Sequence, residues 1–201
     1  AVHGGSGVNV GLIETLRAMY DTDRYLELVH RLDRDTSGLL LVARRASTLR
    51  SLHGLLRSNG VDKRYLCLVS GRWPAHLKRV DAPLEKFALP SGERRVKVAA
   101  TGRQSLTTFR VVTRWPSMTL VEAKPVTGRT HQIRVHCQHA GFPILGDAKY
   151  ADDAADRLAE KLRLKRLFLH AASLSFRLEE QNYSLQAALP LELQRLIDSA
   201  P

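Results

Sequence analysis

Leu26-Glu27-Leu28-Val29-His30-Arg31-Leu32-Asp33-Arg34-Asp35-Thr36-Ser37-Gly38-Leu39-Leu40-Leu41-Val42-Ala43 is the stretch on which the reading of this sequence turns. The apolar segments at 26–29 and 39–43 read as strands. Between them lie two carboxylates, two arginines and a turn ending in Gly38. Charged side chains are seldom placed between buried strands for packing, because burying a charge is costly unless it is paired. A loop fixed between two strands is also where function tends to be carried. The two acids are not equivalent. Asp35, followed by Thr36, Ser37 and Gly38, has the chemistry of an Asx-type turn, in which a carboxylate accepts nearby backbone N–H groups. Asp33, at the strand-proximal end after Leu32, lacks that role. Its alternatives are chemistry or a surface ion pair with Arg31 or Arg34.

Outward from this loop, residues 8–20 carry Ile13, Leu16 and Tyr20 at helical spacing. Ser47 is placed to cap a helix bearing Leu49, Leu52, Leu55 and Leu56, stopped by Gly60. Residues 64–70 alternate as a strand. Residues 74–92, with Pro74, Pro83 and Pro90, read as irregular. Strands follow at 95–99, 106–113 and 118–125, rich in Thr and Val. A helix spans 130–140 and closes at Gly141 and Pro143; a polar, peripheral helix spans 152–164. A hairpin at 171–177 and 183–188 precedes a short helix beginning at Pro190. Strands come in runs rather than in βαβ alternation, which favours an α+β domain with a mixed or antiparallel sheet.

The second charged cluster is Gly128-Arg129-Thr130-His131-Gln132-Ile133-Arg134-Val135-His136. Thr130 is placed to cap the helix. Arg134, among Ile133, Val135 and Cys137, has a buried stem, and a buried guanidinium needs an anionic partner. Asp33 is the natural candidate, since two otherwise unexplained charges would explain each other. An adjacent guanidinium would hold that carboxylate in a fixed geometry. His131, His136, His139 and Cys137 fit neither HExxH nor the paired Cys/His zinc spacings, so no metal is expected. Lys63-Arg64-Tyr65 opens a strand; Tyr65, flanked by cations, is either a platform for a nucleobase or a half-buried strand tyrosine. Gly4-Gly5-Ser6-Gly7 before a helix resembles a phosphate cradle but lacks the P-loop lysine, and reads as flexible chain.

Composition narrows the class. The 201 residues hold 31 Lys and Arg against 20 Asp and Glu, a net charge of +11. Such a surplus concentrates polyanions at the surface and points to nucleic acid. No apolar run reaches the roughly 18 residues that cross a bilayer, so no membrane role is expected. The two cysteines, Cys67 and Cys137, read as reduced core residues of a cytoplasmic protein. The sequence opens at Ala1 without an initiator Met and reads as a fragment of a longer protein.

The two charged clusters together resemble the signatures of the RluA-type pseudouridine synthases, in order and at the family's spacing. Leu145-Gly146-Asp147-Ala148-Lys149-Tyr150 and Leu169-His170-Ala171-Ala172 are similar to two further family segments. Val2-His3-Gly4-Gly5-Ser6-Gly7 resembles the tail of the family's first motif. Within the family the likeness is greatest to the large-subunit rRNA enzymes of the RluC type. The resemblance implies a catalytic domain over 1–201, preceded in the full-length protein by a small S4 RNA-binding domain. It implies a mixed, largely antiparallel sheet flanked by helices, with a central RNA-binding cleft. The implied reaction is isomerisation of specific uridines in 23S rRNA by a monomeric enzyme, with no metal and no cofactor. Asp33 would be the catalytic aspartate, acting on a uridine flipped out of its stack. Tyr65 would stack on the uracil, and Arg31 would fill the vacated space or contact a flanking phosphate. Arg134 and Ile133 would line the substrate site, with Arg129 and His131 at its rim.

Overall fold

The computed structural model describes residues 11–20 and 25–200; the 2–7 motif and the glycine-rich 4–7 stretch lie outside the described residues. Alternating patterns sort into one central sheet. Its path runs β11 (Gln181–Gln186), β10 (Leu169–Leu178), β4 (Val61–Ser70), β9 (Met118–Pro125), β8 (Leu106–Arg114) and β5 (Arg79–Asp81). All of these neighbours are antiparallel. A seventh strand, β2 (Ser37–Gly38), lies parallel to β10, pairing Ser37 with His170 and Gly38 with Ala171. The sheet is therefore mixed and largely antiparallel.

The period-two side-chain alternation of strands gives this sheet two buried faces. On one, Cys67 and Val69 of β4, Val121 and Ala123 of β9 and Leu169 of β10 pack against Ile133 and Cys137 of α3 (Gln132–His139). On the other, Leu68, Leu120 and Phe168 pack against Ala155 of α4 (Asp153–Lys161) and Leu193 of α5 (Leu191–Asp198). A third cluster joins Leu52 of α2 (Ala46–Arg57) to Val61, Leu174 and Phe176. Helix α1 (Leu12–Met19) buries Ile13. Both cysteines are free and buried in the core. None of the helices is long and apolar enough to cross a membrane, among the described residues.

Several local expectations change. Residues 74–92 are not irregular: they hold β5 and β6 (Leu84–Ala88), and β6 pairs with β7 (Arg94–Val98) in a separate hairpin. Pro83 falls between the two strands and Pro90 in the hairpin loop, so the prolines punctuate strands rather than abolish them. The helix at 152–164 is polar and largely exposed, as expected, but one face of it is anchored in the core. Asp152 caps it by accepting Ala155 N–H at 2.8 Å, and its alanine face enters the core. The apolar stretches flanking the charged loop pair over only two residues each, as β1 (Glu27–Leu28) with β3 (Val42–Ala43). Ser47 and Thr130 cap nothing. The capping positions are Arg45 for α2 and His131 for α3, neither with a side-chain cap bond.

Candidate active site

The loop from His30 to Gly38 is fastened at both ends. At its start, His30 Nε2 accepts Leu41 N–H at 3.1 Å. Burial, then the charge of Lys63, pushes the His30 pKa down to about 4, so the ring is neutral and its free nitrogen lone pair stays available to Leu41. In the middle, Thr36 N–H donates to Asp33 O at 3.0 Å, closing a turn. At its end, Ser37 Oγ lies 2.9 Å from His170 Nδ1, whose Nε2 lies 3.0 Å from Ala187 O. The carbonyl can only accept, so Nε2 carries the proton and Ser37 donates. Gly38 has φ +107°, and a Cβ there would lie 2.2 Å from Ala171 O. Only glycine lets the loop approach β10 this closely. Asp35 does not make the expected Asx turn. It is exposed, and its backbone carbonyl, rather than its carboxylate, accepts Arg166 Nη2 at 3.1 Å.

The second element is the turn leading into α3. Gln132, buried, fastens it. Its Oε1 accepts Arg129 N–H at 3.0 Å and the Thr127 hydroxyl at 2.6 Å, while Nε2 donates to Leu106 O at 2.9 Å and Thr107 Oγ1 at 3.0 Å. His131 takes the left-handed conformation at φ +53°, unusual for a non-glycine residue. Its Nδ1 lies 2.7 Å from Tyr150 Oη, which accepts Val96 N–H at 2.9 Å. If the phenol donates its proton to Nδ1, a neutral imidazole carries its own on Nε2, facing away from Tyr150. The His131 pKa is lowered, by burial first.

The ion pair at Arg134 differs from the expectation. Its main partner is Asp147, not Asp33. Arg134 Nε donates to Asp147 Oδ2 at 2.8 Å and Nη2 to Oδ1 at 2.7 Å, a bidentate pair. Asp147's side chain is fully buried, and its Oδ1 also accepts Lys149 N–H at 3.0 Å and Tyr150 N–H at 3.2 Å. The Arg134 guanidinium carbon lies 5.0 Å from the Tyr150 ring centroid. Asp33 Oδ2 stands 3.6 Å from the remaining Nη1, with its side chain 19% exposed. The pairing inferred from sequence thus exists as the outer contact of a three-residue cluster. Despite the cost of burial, the Arg134 pKa is raised, by the Asp147 hydrogen bond and charge. Gly146, at φ +73°, admits the Asp147 segment against Arg166 O, which a Cβ would meet at 2.0 Å. Asp147 and Tyr150 lie in Leu145-Gly146-Asp147-Ala148-Lys149-Tyr150, one of the family-like segments of the sequence. No local pattern pointed that segment at Arg134.

These elements enclose a cleft of about 610 Å³, within the ordinary range for a ligand site. Arg31, Asp33, Tyr65, Arg129, His131, Ile133 and Arg134, all singled out from sequence, lie on its walls. Arg57 and Lys63 join them, so five cations face the cleft and Asp33 is the one carboxylate among its described lining residues. Thr36 Oγ1, also on the wall, is buried with no hydrogen-bond partner among the described residues. Burial, then the charge of Asp33, pushes the Tyr65 pKa up to about 12, so its ring is a neutral phenol. The histidines of α3 diverge: His136 is buried with Nδ1 2.8 Å from Thr107 Oγ1 and Nε2 3.0 Å from Ala82 O, and His139 is exposed. No three His, Cys, Asp or Glu side chains converge as a metal site among the described residues.

Comparison with known proteins gives a consistent result. Residues 10–139 match the family model described as RNA pseudouridylate synthase. The chain is 57% identical over 178 residues to "Ribosomal large subunit pseudouridine synthase C" of Escherichia coli (strain K12), covering 88% of this chain and 56% of that protein. It is 52% identical over 205 residues to the protein of that name from Haemophilus influenzae, covering 99% of this chain and 64% of the relative. The chain thus spans somewhat more than half the length of these relatives. Among solved structures, it is similar to "Human RNA Pseudouridylate Synthase Domain Containing 1", with TM-score 0.76 and 26% identity over 94% of this chain and 78% of the other.

Proposed function

The chain belongs to the RNA pseudouridylate synthase family, and from that premise we propose that it converts specific uridines of large-subunit (23S) rRNA to pseudouridine. The observation that carries this reading is Asp33: a lone carboxylate on the wall of a strongly cationic cleft, held by a loop fastened at three points. The cations suit an RNA backbone, and the cleft volume suits a single nucleotide turned out of its stack.

The reaction is an isomerisation. The C1′–N1 bond breaks, the uracil turns, C1′ bonds to C5, the C5 proton leaves and N1 gains one. Atoms balance without a redox partner or an energy source. Asp33 acts at the sugar, either attacking C1′ or removing the C2′ proton; both use a carboxylate oxygen. Arg134, locked to Asp147, offers its third face to Asp33 and limits how that carboxylate can turn. Tyr65 offers its ring face to the uracil. Forming its phenolate at pH 7 costs about 7 kcal/mol from a pKa of about 12, so it starts the cycle as a stacking platform and hydrogen-bond donor. Ile133 closes the apolar side, Arg31 takes the space the base vacates or a flanking phosphate, and Arg129 and His131 hold the rim. The same reading includes a monomeric cytoplasmic enzyme, working without metal or cofactor, and an accompanying S4-type domain that adds RNA affinity.

The test is Asp33→Asn, which preserves shape and removes the charge. Pseudouridine formation on protein-free large-subunit rRNA is expected to vanish while RNA binding survives. Wild-type turnover in this variant would overturn the assignment.

A further inference from the structure

The mechanism above leaves two cations of the cleft idle, Arg57 and Lys63, and of these Arg57 is exposed while Lys63 is drawn partly out of water. It is half-buried on β4, two residues before Tyr65 and on the same face of the strand. Its neighbours on the opposite face are committed. Asp62 binds Arg64 and Lys124, and Arg64 also reaches Glu122. Lys149 is paired with Glu93, and Arg134 with Asp147. Lys63 has no hydrogen-bond or ion-pair partner among the described residues. Its ammonium crosses toward the turn that opens α3: a Cβ built on Gly128 would lie 3.8 Å from Nζ. Both the strand and the turn contribute to the cleft wall. Burial alone lowers its pKa, which is the signature of a charge that has given up water without receiving an anion.

A half-desolvated ammonium without a counter-ion is costly in the free protein. The cost is recovered when an anion arrives, and Asp33 is the only carboxylate among the described residues lining the cleft. We propose that Lys63 is a phosphate-binding residue of the site: its ammonium takes a non-bridging oxygen of a phosphodiester flanking the uridine whose base lies on Tyr65. The Cα atoms of residues 63 and 65 are roughly 6.7 Å apart along the strand, on the scale of one nucleotide. A compact ammonium on a flexible stem binds a phosphate as a point charge. The inference rests on the proposed function for the uridine, but not for the phosphate.

The experiment compares wild type, Lys63→Met and Lys63→Arg. Binding to a short single-stranded, uridine-containing RNA oligonucleotide is measured across a salt series, and pseudouridine formation on protein-free large-subunit rRNA is measured alongside. Losing one phosphate contact on single-stranded RNA lowers the magnitude of the log–log salt slope by about 0.7. Lys63→Met is expected to show that drop, with KM raised about tenfold and kcat within about threefold of wild type. Lys63→Arg is expected to keep the wild-type slope. A Met variant with an unchanged slope overturns the proposal, whether its activity falls or holds; so does a loss of kcat at constant KM. Should Lys63→Met fail to fold, the wild type is tested with oligonucleotides carrying a neutral methylphosphonate at each position flanking the uridine. Binding insensitive to every such substitution also overturns it. Failure of the uridine reading would show instead as activity in Asp33→Asn, with the Lys63 slope change intact.

Discussion

Replacing Arg134 with Met removes the guanidinium and keeps most of the stem's volume. What remains is Asp147, fully buried, with its charge uncompensated apart from the Lys149 and Tyr150 N–H groups. Breaking a buried pair in this way costs about 3–5 kcal/mol, which for a domain of this size is a fall in thermal midpoint of roughly 6–20 °C. The second substitution decides where the cost arises. Asp147→Asn in the Met background removes the stranded charge, while the asparagine Oδ1 still accepts from Lys149 and Tyr150. It should return about 2 kcal/mol or more. Asp33→Asn in the same background should return little, because Asp33 stands 3.6 Å from Arg134 and remains 19% exposed. The assay is chemical denaturation of Arg134→Met and the two double variants, read as changes in midpoint at constant slope. Rescue by Asp33→Asn but not by Asp147→Asn would refute the assignment of Asp147 as the structural partner.

Two further outcomes follow from the loop that holds Asp33. His30 is neutral in the fold, with its pKa pushed down to about 4 by burial first and Lys63 second. Between pH 6.5 and 4 only the unfolded chain binds that proton, so stability is complete above pH 6.5 and falls as pH drops, by up to about 3 kcal/mol. Urea midpoints between pH 7 and 4.5 should fall more steeply for wild type than for His30→Asn; parallel curves would sink this account. Gly38→Ala places a Cβ 2.2 Å from Ala171 O at a φ of +107°. It should lower stability by about 3 kcal/mol and pseudouridine formation on the order of 100-fold, since displacing Asp33 by an ångström suffices for that loss. Gly92→Ala, at φ +80° with nothing within 4 Å, is the control and should keep its activity; equal losses in both variants would contradict the close-approach argument.

The sequence by itself determined the class of domain, the surplus of cations and the acid to test. Runs of alternating Thr and Val strands make a largely antiparallel sheet because side-chain period is local. A surplus of cations around two charged motifs favours a polyanionic ligand, whatever the fold. Asp33 stood out because a carboxylate between apolar segments with no turn role requires some other reason to be there. Tertiary structure alone decided how the charges pair. Arg134 is about a hundred residues from Asp33 and 13 residues from Asp147, and nothing in either spacing states which carboxylate a buried guanidinium will meet. That choice is set by Gly146, whose bare backbone brings Asp147 under α3, and by Gly38, whose approach to β10 holds Asp33 at the outer contact. The strands at 79–88 were hidden because the partner of β5 is β8, some 26 residues on, and because prolines beside both β5 and β6 mimic a loop. The charged loop is therefore half of a site, and its other half is supplied by packing.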